Sequence, residues 1–138
     1  MYYSSIGGVK LSVFLEKSSE NRDVARIAAE KGYFNSATNR IYYSLFQKIL
    51  HILQKREIDV PEQNGPNDKR NSHQRTIDTM IQEVLSNQRE KNEFLRLHMI
   101  RKSRNKADYK LNSINKTVYN SQIKASADKI HNVLDSYI

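Results

Sequence analysis

The chain is predicted to be all-α: an up-and-down four-helix bundle with an additional shorter helix, in a single domain over residues 1–138. Three observations predict it. Glycine and proline are scarce, 4 and 2 in 138 residues, and both disfavour helix interiors. Apolar residues recur at the i, i+3, i+4 spacing of one helical face. No β-alternation, internal repeat or low-complexity segment breaks that period. The length suits one core.

The first helix is expected from about Lys10 to Lys31. Leu11, Phe14 and Leu15 make one apolar cluster, and Val24, Ile27 and Ala28 repeat the spacing. Gly32 follows as a C-terminal stop. The second helix is expected from Ser36 to Lys55, with Asn35 or Ser36 as N-cap. It carries two adjacent stripes, Ile41, Leu45, Ile49, Ile52 and Tyr42, Phe46, Leu50, Leu53. A face that wide is buried on more than one side. It marks the central helix, or a helix that meets a second subunit. Residues 56–71, with Pro61, Gly65 and Pro66, form the one long loop, functional or mobile. The third helix starts at Ser72 and runs to about Asn87, with a stripe of Ile77, Met80, Ile81, Val84 and Leu85. The fourth runs from about Glu90 to Ala107. Phe94, Leu97, Ile100 and Arg104 share its face, so the face turns charged at its tail. The fifth begins near Thr117, where Ile123, Ala127, Ile130, Leu134 and Tyr137 form a narrow seam.

Charge is uneven. The net charge is +8. Residues 1–69 hold ten Lys/Arg against eight Asp/Glu, and residues 70–138 hold thirteen against seven. Most of the excess lies between Arg89 and Lys116. A local basic field favours an anionic partner such as RNA, with a solvated surface as the plain alternative. There is no cysteine, which excludes disulfides, thiolate metal sites and a cysteine nucleophile, and fits a cytoplasmic location. The N-terminal residues do not read as a signal peptide, and no stretch reaches the ~18 apolar residues of a membrane span. No metal site or cofactor is expected. The four histidines fall on different helices without paired ligand spacing, and there is no glycine-rich phosphate loop.

The chemistry concentrates in Arg101-Lys102-Ser103-Arg104-Asn105-Lys106-Ala107-Asp108-Tyr109. Arg104 and Asp108 are one turn apart on one face, and Arg101 lies one turn before Arg104. Spacing alone permits an exposed ion pair worth a few tenths of a kcal/mol, roughly 0.2–0.5. The functional alternative is a basic pocket whose Arg104 fork binds phosphate, oriented by Asp108. Metal-independent RNA cleavage would also need a proton acceptor and donor, best a histidine. None stands four to six residues after Arg101 or Arg104. His73 starts the third helix, and His98 precedes Arg101. Tyr42 reads as a core residue, while Tyr43 is open to a base-stacking role.

Three segments resemble the signature of the HEPN family. Arg40-Ile41-Tyr42-Tyr43-Ser44-Leu45-Phe46 matches its Arg-x-Tyr-Tyr-x-x-Phe helix. Ser72-His73 matches the Ser-His of a small prokaryotic subgroup. Arg104-Asn105-Lys106-Ala107-Asp108-Tyr109 matches that subgroup's Arg-x-x-Ala-Asp-Tyr. The similarity spans roughly residues 10–135, in the right order. It implies a four- or five-helix bundle, a homodimer, and a place in a toxin–antitoxin or defence system. Nuclease members bring Arg and His of both protomers together at the dimer cleft; here Asp108 stands near the place of that His. Many members pair with a nucleotidyltransferase antitoxin, which in some cases adds AMP to a tyrosine, and Tyr109 is the nearest candidate. Three functions follow as expectations. The first is binding of RNA or nucleotide through Arg101, Asn105, Lys106, Arg40, Tyr43 and His73. The second is an endoribonuclease using Arg104 with Asp108, Tyr109, His73 or His98. The third is a helical interaction module without a nucleic-acid role.

Overall fold

The computed structural model describes residues 3–6, 9–109 and 113–138, with side chains for residues 12–105 and 113–138. It is a helical bundle. Helix α1 is Val13–Glu30, α2 is Phe34–Lys55, α3 is Ser72–Glu83 and α4 is Gln88–Tyr109. Helix α5 is composite: Lys116–Val118 is α-helical, Tyr119–Lys124 is π-helical, and Ala125–Asp135 is α-helical again.

Ahead of the bundle, strands β1 (Tyr3–Ile6) and β2 (Val9–Ser12) form an antiparallel hairpin with Ile6 opposite Val9. This corrects the expected start of the first helix at Lys10. Ser12 ends the hairpin in extended geometry, and its Oγ accepts from the Phe14 amide at 3.2 Å. Ser12 is thus both the last strand residue and the N-cap of α1. Gly32, at φ +78°, closes α1. The Tyr33 amide donates to Ala28 O at 2.9 Å and the Gly32 amide to Ala29 O at 3.0 Å. That is the paired closure a left-handed glycine permits.

The same closure ends α2, without a glycine. The Ile58 amide donates to Leu53 O and the Glu57 amide to Gln54 O, while Glu57 holds φ +56°. A β-carbon in the left-handed region is unfavourable. Glu57→Gly is therefore expected to stabilise the fold by about 0.5–1 kcal/mol after the added flexibility of the unfolded chain is subtracted. Urea melts of the two proteins check this. Destabilisation would mean that this turn is not left-handed in solution.

Of the two expectations for α2, the structure shows the central one. The helix packs against α1, α3, α4 and α5. Ile41, Tyr42, Leu45, Phe46, Ile49, Ile52 and Leu53 are buried along it. Ile77 and Met80 of α3, Phe94, Leu97 and Ile100 of α4, and Tyr119, Ile123, Ile130 and Leu134 of α5 complete the core. Neither Asn35 nor Ser36 caps α2; its N-cap is Tyr33, which makes no side-chain cap. Asn35 instead accepts the Ile114 amide at 2.9 Å. The start of α2 thereby holds the chain where it enters α5.

Helix α3 ends at Glu83, earlier than expected, yet Leu85 beyond its end remains buried. The loop before it is built around Asp68, which accepts from the Asn64 amide and from the Arg70 amide and guanidinium at 3.0–3.2 Å. The Arg70 guanidinium beside it holds the Asp68 carboxyl well below the usual carboxylate range. Arg75 reaches back from α3 to Pro61 O and Arg70 O. The loop is therefore pinned to α3. Among the described residues no helix is long and apolar enough to cross a membrane.

A buried polar network joins α1, α2 and α5. Ser18 Oγ donates to Ser44 O at 2.6 Å, and Ser44 Oγ donates to Ile41 O at 2.6 Å. Since the Ser44 hydroxyl proton is thus used, His131 Nε2–H donates to Ser44 Oγ at 3.0 Å. His131 Nδ1 accepts from Lys48 Nζ at 2.9 Å, and Lys48 pairs with Asp135 at 2.7 Å. The imidazole is neutral and its tautomer is assigned by its partners.

Candidate functional site

Helices α2, α3 and α4 bring their polar residues together at one place. A cavity of about 280 Å³ is lined by Tyr43, Asn71, His73, Arg101, Arg104 and Asn105. Each is placed for a local reason. Asn71 is the N-cap of α3: its Oδ1 accepts from the Gln74 amide at 2.9 Å, and Gln74 Oε1 accepts from the Asn71 amide at 2.8 Å. This reciprocal cap fixes where α3 begins. It puts His73 in the first turn, against α2.

The His73 ring stacks on Phe46, with centroids 4.2 Å apart and planes at 12°. Tyr42 and His73 Nδ1 lie 2.7 Å apart. Burial raises the Tyr42 hydroxyl well above its ordinary value, so it keeps its proton and donates to Nδ1. Burial, then Arg104 and Arg101, push His73 below its ordinary value. A neutral ring that accepts at Nδ1 carries its proton on Nε2.

Arg104 lies over both tyrosines of α2, with Cζ 5.1 Å from the Tyr42 centroid and 5.3 Å from that of Tyr43. Contacts of this range are cation–π pairs. Its Nη1 donates to Tyr43 Oη at 2.8 Å and its Nη2 to Asn105 Oδ1 at 2.9 Å. Its Nε is buried without a partner. Arg101 is only 8 % exposed, and its Nε is likewise buried and unpartnered. Neither arginine has a carboxylate partner among the described residues. A guanidinium held this far from water without an anion is costly, and a bound anion would offset that cost.

Of the residues expected at the site, the structure brings together Arg101, Arg104, Asn105, Tyr43 and His73. Arg40 lies apart from them. Its guanidinium faces α1, where Nη1 donates to Asn21 at 3.3 Å; two residues before Tyr42, it stands about 160° round α2 from that ring. The side chains of Lys106, Asp108 and Tyr109 lie outside the described residues. His98 bonds to Asp78 at 3.3 Å, beside Arg70, and does not line the cavity. Tyr42 is a core residue, as its stripe implied, but its hydroxyl also sets the state of His73. Asn71 was missed by sequence reasoning. Its signal was present, an Asn three residues before Gln74 at a helix start.

A larger groove of about 790 Å³ runs between α1 and α5. There Arg22 and Lys124 already pair with Asp128, and Arg26 with Glu30. Arg101, buried, and Arg104, half-buried, lack a carboxylate partner among the described residues, and they mark the smaller cavity as the functional candidate. Among the described residues no three His, Cys, Asp or Glu side chains form a metal-binding group. No family model, curated protein or solved structure matches the chain.

Proposed function

We propose that this chain is a HEPN-like toxin–antitoxin or defence module that binds RNA or a nucleotide by phosphate at the Arg101–Arg104 cavity. In this reading it is a homodimer whose cavity opens on the dimer cleft, and its partner is a nucleotidyltransferase. One observation carries the reading. The three segments that resemble the family signature are far apart in sequence, yet Tyr42 and Tyr43, His73, and Arg104 with Asn105 touch one another. Two guanidiniums, two amides and an imidazole, with no carboxylate lining the cavity among the described residues, make a site for an anion.

Such a site binds single-stranded RNA in a salt-sensitive way, because neutralised phosphates release counterions. With two phosphates neutralised, affinity is expected to fall by about fivefold to tenfold between 50 and 200 mM salt. Filter binding of an unstructured RNA across that range tests it. Binding that is flat with salt, or absent throughout, would favour a helical interaction module instead.

His73 supports a second reading, a metal-independent endoribonuclease, since it supplies an imidazole beside Arg104. Its tautomer ranks that reading second. The nitrogen free to face the cavity already carries a proton, so it donates to a phosphate oxygen but does not take a 2′-hydroxyl proton. Incubation of the protein with total RNA in EDTA separates the two readings. Intact RNA fits binding, and cleavage that disappears in Arg104→Ala establishes the nuclease.

A further inference from the structure

The start of α3 adds donors that side chains alone do not supply. In this helix the Asn71 side chain takes the Gln74 amide, and Asn71 O takes the Arg75 amide at 3.0 Å. The amides of Ser72 and His73 have no partner among the described residues. First-turn amides point out of the helix end and carry the positive end of its dipole. Asn71 and His73, on either side of Ser72, both line the cavity, so this helix start lies at its rim.

A helix start alone would not make a site. Here a second, independent feature points to a ligand. Arg101 is more than nine-tenths buried, lines the same cavity, and makes no hydrogen bond to a described residue. Arg104 retains one proton on each Nη after its bonds to Tyr43 and Asn105. His73 offers Nε2–H.

The supply of donors is therefore larger than an internal phosphodiester can use. A diester has one negative charge, two non-bridging oxygens and two chain arms that must both leave the cavity. A phosphomonoester has a second charge, a third oxygen and a single arm. Three oxygens match the three donor sources: the Arg101 fork, the remaining Arg104 donors, and the α3 amides with His73.

We propose that the cavity takes a terminal phosphate, the phosphomonoester of a free nucleotide or of a phosphorylated RNA end, in preference to an internal phosphodiester. The proposal rests on the anion-binding reading above and narrows its ligand.

The test uses the full chain and short unstructured RNA strands, labelled at one end and bearing either phosphate or hydroxyl at the other. The phosphorylated strand, at its 5′ or 3′ end, is expected to bind at least about tenfold tighter than its hydroxyl twin. AMP should displace it, whereas the dinucleoside monophosphate ApA, which has only an internal diester, should not. Displacement by AMP without an end preference among strands supports the proposal with a free nucleotide as the source.

Ser72→Pro provides a variant that folds independently of the arginines. Proline is tolerated at the first helical position, and Asn71 already has the extended geometry that a following proline requires (φ −82°, ψ 177°). It deletes one free amide and should reduce the end preference severalfold with unchanged helicity. Equal affinity for phosphate and hydroxyl ends, no displacement by AMP, and binding that is still lost in Arg104→Ala would overturn the terminal-phosphate inference and leave the RNA reading standing. No binding of AMP or of any strand would overturn both.

Discussion

Arg104→Ala is expected to weaken RNA or nucleotide binding by about tenfold to a hundredfold, the worth of one charge-assisted hydrogen bond. The protein should stay folded. Arg104 is only partly buried, and its removal uncovers no carboxylate among the described residues. Its losses within the fold are the Tyr43 and Asn105 bonds and the two cation–π contacts. The substitution also removes a cation that acts on both His73 and Tyr42. The imidazole should therefore titrate closer to its ordinary value in the variant. Affinity measurement with an NMR titration of His73 reads both effects. Undiminished affinity in a variant whose His73 has moved would remove Arg104 as the phosphate clamp while leaving the geometry of the cavity intact.

Acid is expected to destabilise the protein by about 2 kcal/mol at pH 5 relative to neutral pH, from His131 alone. Burial, then Lys48 and Arg22, hold this fully buried imidazole far below its ordinary value. The folded state thus keeps His131 neutral where the unfolded chain binds a proton. Stability is complete above the ordinary value of 6.5 and declines as pH falls below it. The groups that face the ring fit that direction. Lys48 Nζ already donates to Nδ1, Ser44 is committed to Ile41 O, and Asp135 bonds to Lys48. Protonation would set two cations 2.9 Å apart. His51 and His73 are shifted in the same sense and add to the slope. Asp68 loses its contribution only at more acid pH, below its ordinary 3.8. Urea melts at pH 7.5 and 5.0, on the native protein and on His131→Asn, measure the effect. An undiminished pH slope in the variant would exclude His131 as its source.

The parts of the fold legible in the sequence were those written in long periods. The double stripe of α2 gave the central helix, and Gly32 gave the end of α1. The N-terminal hairpin was not legible. Its strands have four residues each, too few to show an alternation, and Leu11, Phe14 and Leu15 imitate the start of a helix. The short α3 was missed at its end because Val84 and Leu85 continue the apolar pattern after the helix has stopped. At the site, helical spacing found Arg101 and Arg104. It could not find that Tyr42 bonds His73 across 31 residues of sequence. Nor could it place Arg40, whose direction depends on which side of α2 meets α1.

The π-helical stretch Tyr119–Lys124 has a consequence for how this chain can vary. Each residue of an α-helix turns by about 100°. The wider turn here carries surplus sequence without a break in the helix. Tyr119 and Ile123 are buried within it, and Ala127, Ile130, His131 and Leu134 are buried after it. A one-residue deletion inside 119–124 would restore ordinary helical winding and look harmless by propensity. It would swing either Tyr119 or the whole His131 seam by roughly a quarter turn, out of the core. The last helix is thus tolerant of substitution on its outer face but intolerant of any change in length, and its six wide residues serve as the gauge that sets its phase.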